Sequence, residues 1–171
     1  MFILEMPGAD EKRIRQRAAR CGRGTETFLG DEGDGGLVLC HAKACRSGKG
    51  TLVRRTETRL ARGDYGRKGG RHLLFVGAWV PHDFRSEFSA WYEMDHLPLL
   101  LQCPTWDGCR IVEESVADGV QFYALHQVSD PAAFESDERR RSRDTPWFHR
   151  LKAHDWFDEA FSRRTLRRLG R

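Results

Sequence analysis

The chain has 171 residues, with 29 Lys+Arg against 25 Asp+Glu for a formal net charge of +4; 32% of residues are charged and 39% hydrophobic. That is the balance of a soluble globular protein, not of a collagenous, fibrous or membrane-embedded one. No apolar run approaches the ~18 residues of a membrane-crossing helix. The opening Phe2-Ile3-Leu4 is cut short by Glu5 before a signal-peptide core can form, so the expected compartment is the cytoplasm. Five cysteines (Cys21, Cys40, Cys45, Cys103, Cys109) without a C-x-x-C pair indicate neither a disulfide scaffold nor a zinc ribbon, and reduced thiols are expected.

The composition is unevenly distributed. Residues 1–70 hold 15 Lys+Arg and 9 Asp+Glu, whereas residues 71–171 hold 14 and 16. Before position 71 the aromatics are Phe2, Phe28 and Tyr65; the other 15 follow it, while 13 of the 17 glycines precede it. Glycine loses the most backbone entropy on ordering, and this stretch has little apolar area to offset the loss. Residues 1–70 therefore read as a basic, disordered or loosely structured extension, and 71–171 as the folded domain. A start codon downstream of this stretch is a further reading of the same composition.

Within residues 1–70, EKRIRQRAAR (11–20) predicts a short basic helix, and the breakers DEGDGG (31–36) and GRKGG (66–70) isolate the apolar Leu37-Val38-Leu39. Ser47-Gly48-Lys49-Gly50-Thr51 fails as a phosphate loop, because Lys43 stands where the first glycine belongs and Gly50 where Ser or Thr must follow the lysine. Cys40, His41 and Cys45 can approach one metal, yet a closed zinc site needs four ligands and no second pair accompanies them, so no metal is expected. Scattered arginines suggest phosphate contacts. With Tyr65 as the one interleaved stacking group, a solvated basic tail is the better reading and nucleic acid is not an expected partner.

In the second segment, HLLFVGAWVP (72–81) predicts a strand ended by Pro81. From Asp83 the period becomes helical, with Phe84, Phe88, Trp91, Tyr92 and His96 on one face and Pro98, then Pro104, as the stop. WDGCRIVEESV (106–116) predicts a second strand, Ala117-Asp118-Gly119 a turn, and Gln121–Val128 a third strand pairing back on the second. Asp130-Pro131 starts a second helix, with Thr145-Pro146 its expected stop. Phe161–Leu169 supplies a last strand. The order βαββαβ is that of a ferredoxin-like unit, an α+β fold with a four-stranded antiparallel sheet.

Two helices cover one face of such a sheet. The first strand is apolar on both: Leu73, Phe75, Gly77 and Trp79 point one way, Leu74, Val76, Ala78 and Val80 the other. Something must cover the second face. A second copy closing two sheets into a dimeric α/β barrel is one answer; the amino-terminal segment is the other, weakened by its few apolar residues.

Phe88-Ser89-Ala90-Trp91-Tyr92, Asp95-His96-Leu97-Pro98-Leu99-Leu100, Cys103-Pro104-Thr105-Trp106, Tyr123-Ala124-Leu125 and Arg143-Asp144-Thr145-Pro146-Trp147 carry a resemblance. Over about residues 72–169 the chain resembles the dimeric α/β-barrel superfamily, in particular EthD-like and uncharacterised small proteins with a "WYxxEHLPxLLxxPGW" pattern. Asp95 replaces the usual Glu, and Thr105 the usual Gly. The resemblance implies a homodimer and an activity within a range that includes cofactor-independent monooxygenases, isomerases, cyclases and heme enzymes.

His96 is the candidate catalytic residue. It continues the buried helix face near the helix end, where a neutral imidazole can move a proton, and the recurrent histidine of the family pattern maps onto it. The alternative is that it locks the helix end by bonding a carbonyl freed by Pro98. Trp91 and Tyr92 lie one turn earlier, Trp91 equally suited to core packing. Tyr123 and His126 project to opposite faces of the third strand, so at most one of them can join His96. Asp144 and Trp147 are candidates for closing one end of the pocket. Aromatic walls with a few polar tips suit a planar, hydrophobic, oxygenated ligand. The salt-laced run with Glu135, Asp137, Glu138 and Arg139–Arg143 reads as a solvent face. The expected function is an enzyme acting on an aromatic or polyketide-like molecule by proton transfer, isomerisation or cofactor-independent oxidation. A non-catalytic homodimer that binds a hydrophobic metabolite is the alternative, and an association with nucleic acid through 11–68 a third.

Overall fold

Three short apolar runs in the glycine-rich first segment become strands in the computed structural model, which describes residues 1–30, 34–40, 51–66 and 70–170. Strand β1 (Phe2–Pro7) leads to helix α1 (Glu11–Cys21), then β2 (Glu26–Gly30), β3 (Gly35–Cys40), β4 (Leu52–Arg55) and β5 (Glu57–Gly63). The Asp10 side chain caps α1 by accepting from the Arg13 amide at 2.8 Å, and Gly22 ends it with φ +85°. The helix seats closely on β3 because Gly36 has no side chain: a Cβ there would fall 2.1 Å from Ile14 Cδ1.

The second segment forms β6 (His72–Pro81), a 3₁₀ turn (His82–Phe84), α2 (Arg85–Trp91), one π-helical turn (Tyr92–His96) and α3 (Leu97–Leu100). Strands β7 (Trp106–Val116) and β8 (Gly119–Val128) follow as a hairpin. A 3₁₀ turn (Pro131–Glu135) then leads to α4 (Asp137–Arg141), α5 (Pro146–Lys152), α6 (Asp155–Glu159) and β9 (Phe161–Arg168).

All nine strands form one antiparallel sheet in the order β4-β1-β3-β2-β9-β6-β8-β7-β5. Each half repeats the ferredoxin-like order, fourth strand, first, third, second. The halves are joined twice in equivalent ways. Strand β9 pairs with β6 along Phe161–Arg167 and with β2 along Leu166–Arg168. In the other half Leu52–Arg55 pair with β1 and Glu57–Gly63 with β7. Because β4 and β5 are one stretch of chain interrupted at Thr56, the two ends of the strand order meet and the sheet closes on itself as a barrel. Thr56 is held at that junction by the Met1 carbonyl, which accepts from its amide at 2.9 Å.

The core is layered accordingly. Ile3, Phe28, Leu37 and Leu39 from the first half meet Leu73, Phe75, Val112, Leu125 and Leu166 from the second inside the barrel. Outside, α1 packs Ile14 against Leu4, Met6 and Val38, while the second half's helices cover Leu74, Val76, Ala78 and Val80.

Several expectations change. The sheet has nine strands, not four, and residues 2–63 contribute five of them instead of forming a loose extension. Few apolar residues suffice there because many of them are fully buried: Ile3, Leu4, Ile14, Leu37 and Val38 are 0% exposed. The second face of the ferredoxin-like sheet is covered by the chain's own first half, which removes the ground for a second copy. Residue 70 falls at the link between two halves of one barrel. Pro98 does not stop the helix, which runs through a wide π turn to Leu100; the proline can neither donate to nor fit against the carbonyl four residues earlier, and the wide turn precedes it. Thr145-Pro146 begins α5 instead of ending a helix, since the Thr145 hydroxyl accepts from the Phe148 amide at 3.1 Å. Cys103 and Cys109 are thiols, whereas Cys40, also expected to be reduced, is disulfide-bonded. Among the described residues no helix is long and apolar enough to cross a membrane.

Candidate active site

A cavity of about 140 Å³ lies between the helical layer and the outward face of the second half's sheet. Leu74 and Val76 of β6 form its floor, and Trp91, Tyr92 and His96, from the end of α2 and the π turn, form one wall. Isolated π turns recur at functional sites, and here the wide turn places His96 against both rings before it. Its ring centroid is 4.7 Å from Trp91 and 4.9 Å from Tyr92.

The hydrogen bonds assign the protons. An indole can only donate, so Trp106 Nε1, at 3.2 Å, makes His126 Nδ1 an acceptor. The proton of neutral His126 is then on Nε2, which donates to Tyr92 Oη at 2.6 Å. The Tyr92 hydroxyl proton is consequently free for a ligand. His96 Nδ1 lies 3.0 Å from the Ser142 carbonyl and must donate to it, which leaves Nε2 a bare acceptor on a side chain that lines the cavity. Trp91, 2% exposed, adds an indole N–H without a partner.

Burial keeps this set neutral. It pushes His96 down to about 4, helped by the Arg143 and Arg163 charges and opposed by the Ser142 bond and Asp95. Burial, with His96 and Arg139 nearby, pushes His126 to about 3. Tyr92 is pushed well above the ordinary tyrosine range, again chiefly by burial. The site thus presents one acceptor and two donors in a low-dielectric pocket.

Charge gathers at the mouth. Arg139, Arg143, Lys152 and Arg163 line the cavity, with Asp158 as the one acid. Arg139 reaches Glu135 at 3.5 Å; Arg143 and Arg163 make no ion pair among the described residues.

Of the residues singled out from sequence, Trp91, Tyr92, His96 and His126 converge here, and the other three lie elsewhere. Tyr123 faces the barrel interior, stacked on Phe75 with centroids 5.5 Å apart, as the strand's alternation requires. Asp144 is exposed and accepts from His149 Nε2 at 2.8 Å. Trp147 packs on the edge of the outer core below Arg150, away from the cavity wall. Trp106, Phe148, Phe157, Arg139, Arg143 and Arg163 escaped the sequence reading; the i,i+4 pattern over 135–143 masked two of the arginines as a solvent face. His41 and Cys45 lie outside the described residues, and among those described no three His, Cys, Asp or Glu gather as for a metal. The Cys109 thiol, 4.0 Å from His126 Nε2, is pushed up by burial and is no nucleophile.

The sequence matches no protein-family model and no curated protein. Solved structures do match, over the entire chain. An uncharacterised ferredoxin-fold protein related to antibiotic biosynthesis monooxygenases, from Listeria monocytogenes, superposes with a TM-score of 0.66 at 12% identity, covering 100% of this chain and 96% of that one. An anthrone oxidase-like protein gives 0.63 at 12% identity over 99% and 90%. A heme-degrading enzyme from Listeria monocytogenes gives 0.60 at 9% identity over 98% and 99%. At these identities the likeness shows the fold alone, a ferredoxin-like arrangement, present here as two halves in one chain. A tetrapyrrole does not fit the cavity described above, whose about 140 Å³ is well below the ~300–1,000 Å³ of pockets for drug-sized ligands.

Proposed function

We propose that the protein is a small-molecule enzyme that removes a proton next to a carbonyl of an oxygenated planar substrate and prepares it for oxidation by dioxygen. The observation that carries this is the presence of a bare His96 Nε2 and the free Tyr92 O–H on two side chains that line one cavity. His96 takes the proton; the C–H electron pair moves onto the carbonyl oxygen, which accepts from Tyr92, with the Trp91 N–H as a second donor. The negative charge so formed raises the basicity of His96, which the arginines otherwise suppress. The names of the structural neighbours, monooxygenase-like and oxidase-like, favour oxidation as the following step.

The test is exchange of the α-protons of a panel of charged and neutral aryl ketones in deuterated water, read by NMR, with dioxygen uptake measured in parallel. His96→Ala is expected to lose ~100-fold or more in exchange. Unchanged exchange in that variant would refute the proton-transfer role. One observation favours a second reading, a binding protein without chemistry: His96 at about 4 lies well below neutral pH, whereas a general base works best near the operating pH. Saturable ligand binding with no exchange in the wild type would establish that reading.

A further inference from the structure

Four cationic side chains from three helical or loop segments and a strand surround the mouth of a cavity whose walls are aromatic, and they have one acid among them. Arg139 comes from α4, Arg143 from the loop after it, Lys152 from α5 and Arg163 from β9, against Asp158 of α6. Like charges gathered this way repel one another and are retained at a cost unless something negative joins them. The Glu135 partner of Arg139 is 86% exposed and points away from the need. Deeper in, the unpartnered Trp91 indole and the Tyr92 hydroxyl both offer hydrogens, while Trp106 and His126 are spent on protein partners. The walls are Trp91, Phe148, Phe157 and Phe161, rings that pack on another ring. The size bounds the occupant: about 140 Å³ is close to a ~150 Å³ cavity that takes up benzene.

We propose that the cavity takes a single-ring aromatic carboxylate, or an acid of that size, with its anion held at the mouth by Arg139, Arg143 and Arg163 and its ring against the wall that Trp91 and Phe148 form, their centroids 6.0 Å apart. Guanidinium groups suit this role because their planar donor pairs match the two oxygens of a carboxylate. The inference rests on the cavity being the protein's ligand site, as the functional reading above requires, and it narrows the substrate class from planar and hydrophobic to small and anionic.

The experiment is calorimetric titration of the full-length protein with benzoate, with benzamide as the neutral isostere and with anthracene-9-carboxylate as the oversized acid. Benzoate is expected to bind at least ~10-fold more tightly than benzamide, with an affinity that falls as salt is added. Arg143→Gln and Arg163→Gln, both at exposed positions, are each expected to weaken benzoate ~10-fold and benzamide by much less. Equal affinities for benzoate and benzamide, wild-type benzoate binding in both arginine variants, or no binding of either compound at millimolar concentration would overturn the anion site. Anthracene-9-carboxylate bound as tightly as benzoate would overturn the size limit. Because binding is read without turnover, benzoate binding in a protein that exchanges no α-protons refutes the enzymatic reading alone. Exchange of neutral ketones by a protein indifferent to ligand charge refutes this inference alone.

Discussion

Burial and hydrogen bonding together decide what each cavity residue can do. His96 and His126 belong to the few buried polar side chains, and each spends one ring nitrogen on a protein partner of fixed role, a carbonyl for His96 and an indole for His126. The same burial has a consequence for stability. Folded values of about 4 for His96 and about 3 for His126 lie below the ~6.5 of an unfolded histidine. As pH falls below ~6.5 the unfolded chain takes up protons that the folded one refuses, so stability falls with acidification, the loss completing near about 4 for one ring and about 3 for the other. The slope contributed approaches ~1.4 kcal/mol per pH unit for each histidine. Urea denaturation across this window should show His126→Gln with a shallower acid dependence than the wild type; identical slopes would mean that His126 is not held neutral. His96 as a candidate was legible in the sequence from its helical phase. Its tautomer was not, because the Ser142 carbonyl that sets it lies 46 residues away in the chain.

At the scale of elements, the second half was read closely because its signals are local. Strand β6 occupies the very residues of the apolar run, the turn falls at Ala117-Asp118 with Gly119 already in β8, and the Asp130 cap stands where side-chain chemistry puts it, Asp130 accepting from the Ala132 amide at 2.9 Å. The misreadings are at prolines, whose local signal is ambiguous: Pro146 suits both the residue after a helix and the first residue of one. Thr145 resolves it, capping α5 while donating to the Asp95 carboxylate of the π turn. It therefore ties the start of α5 to the wall that carries His96. Thr145→Ala is expected to cost ~1–2 kcal/mol of stability, and Thr145→Ser to retain most of it. Chemical denaturation of the three proteins checks this, and an alanine variant as stable as the wild type would remove the cap from the account.

The whole molecule is a closed sheet made of two ferredoxin-like halves, and neither half has a complete core without the other. Residues 71–171 alone would expose Leu73, Phe75, Leu125 and Leu166, side chains of which each is worth ~1.5–3 kcal/mol when buried. That fragment is expected to self-associate, a second copy taking the place of the first half, or to be insoluble. Sedimentation of the purified fragment checks the expectation; a monomer that unfolds cooperatively would show that the halves are independent. The two halves differ in their outer faces. In the first, the outer face carries α1 with Ile14 and Met6 in a small core, whereas the second half holds the aromatic and arginine-lined cavity.

The sequence by itself determined the order of the four strands from β6 to β9 and of the two helical regions between them, though not the division of the second region into a 3₁₀ turn and three short helices, together with the apolar character of both faces of that sheet and the shared helix face of Trp91, Tyr92 and His96. All of these follow from periods of two or about four residues, which a chain displays in any short window. Tertiary structure decided what covers the sheet's inner face, which of Tyr123 and His126 meets His96, and that Arg139, Arg143 and Arg163 converge. The joining pair of strands shows why: β2 and β9 meet through Phe28 and Arg168, 140 positions apart, and no local pattern encodes a contact of that span. Arginines of the first segment, which composition suggested to be a tail, belong to half of the barrel, Arg54 pairing with Glu5 of the neighbouring strand at 2.6 Å.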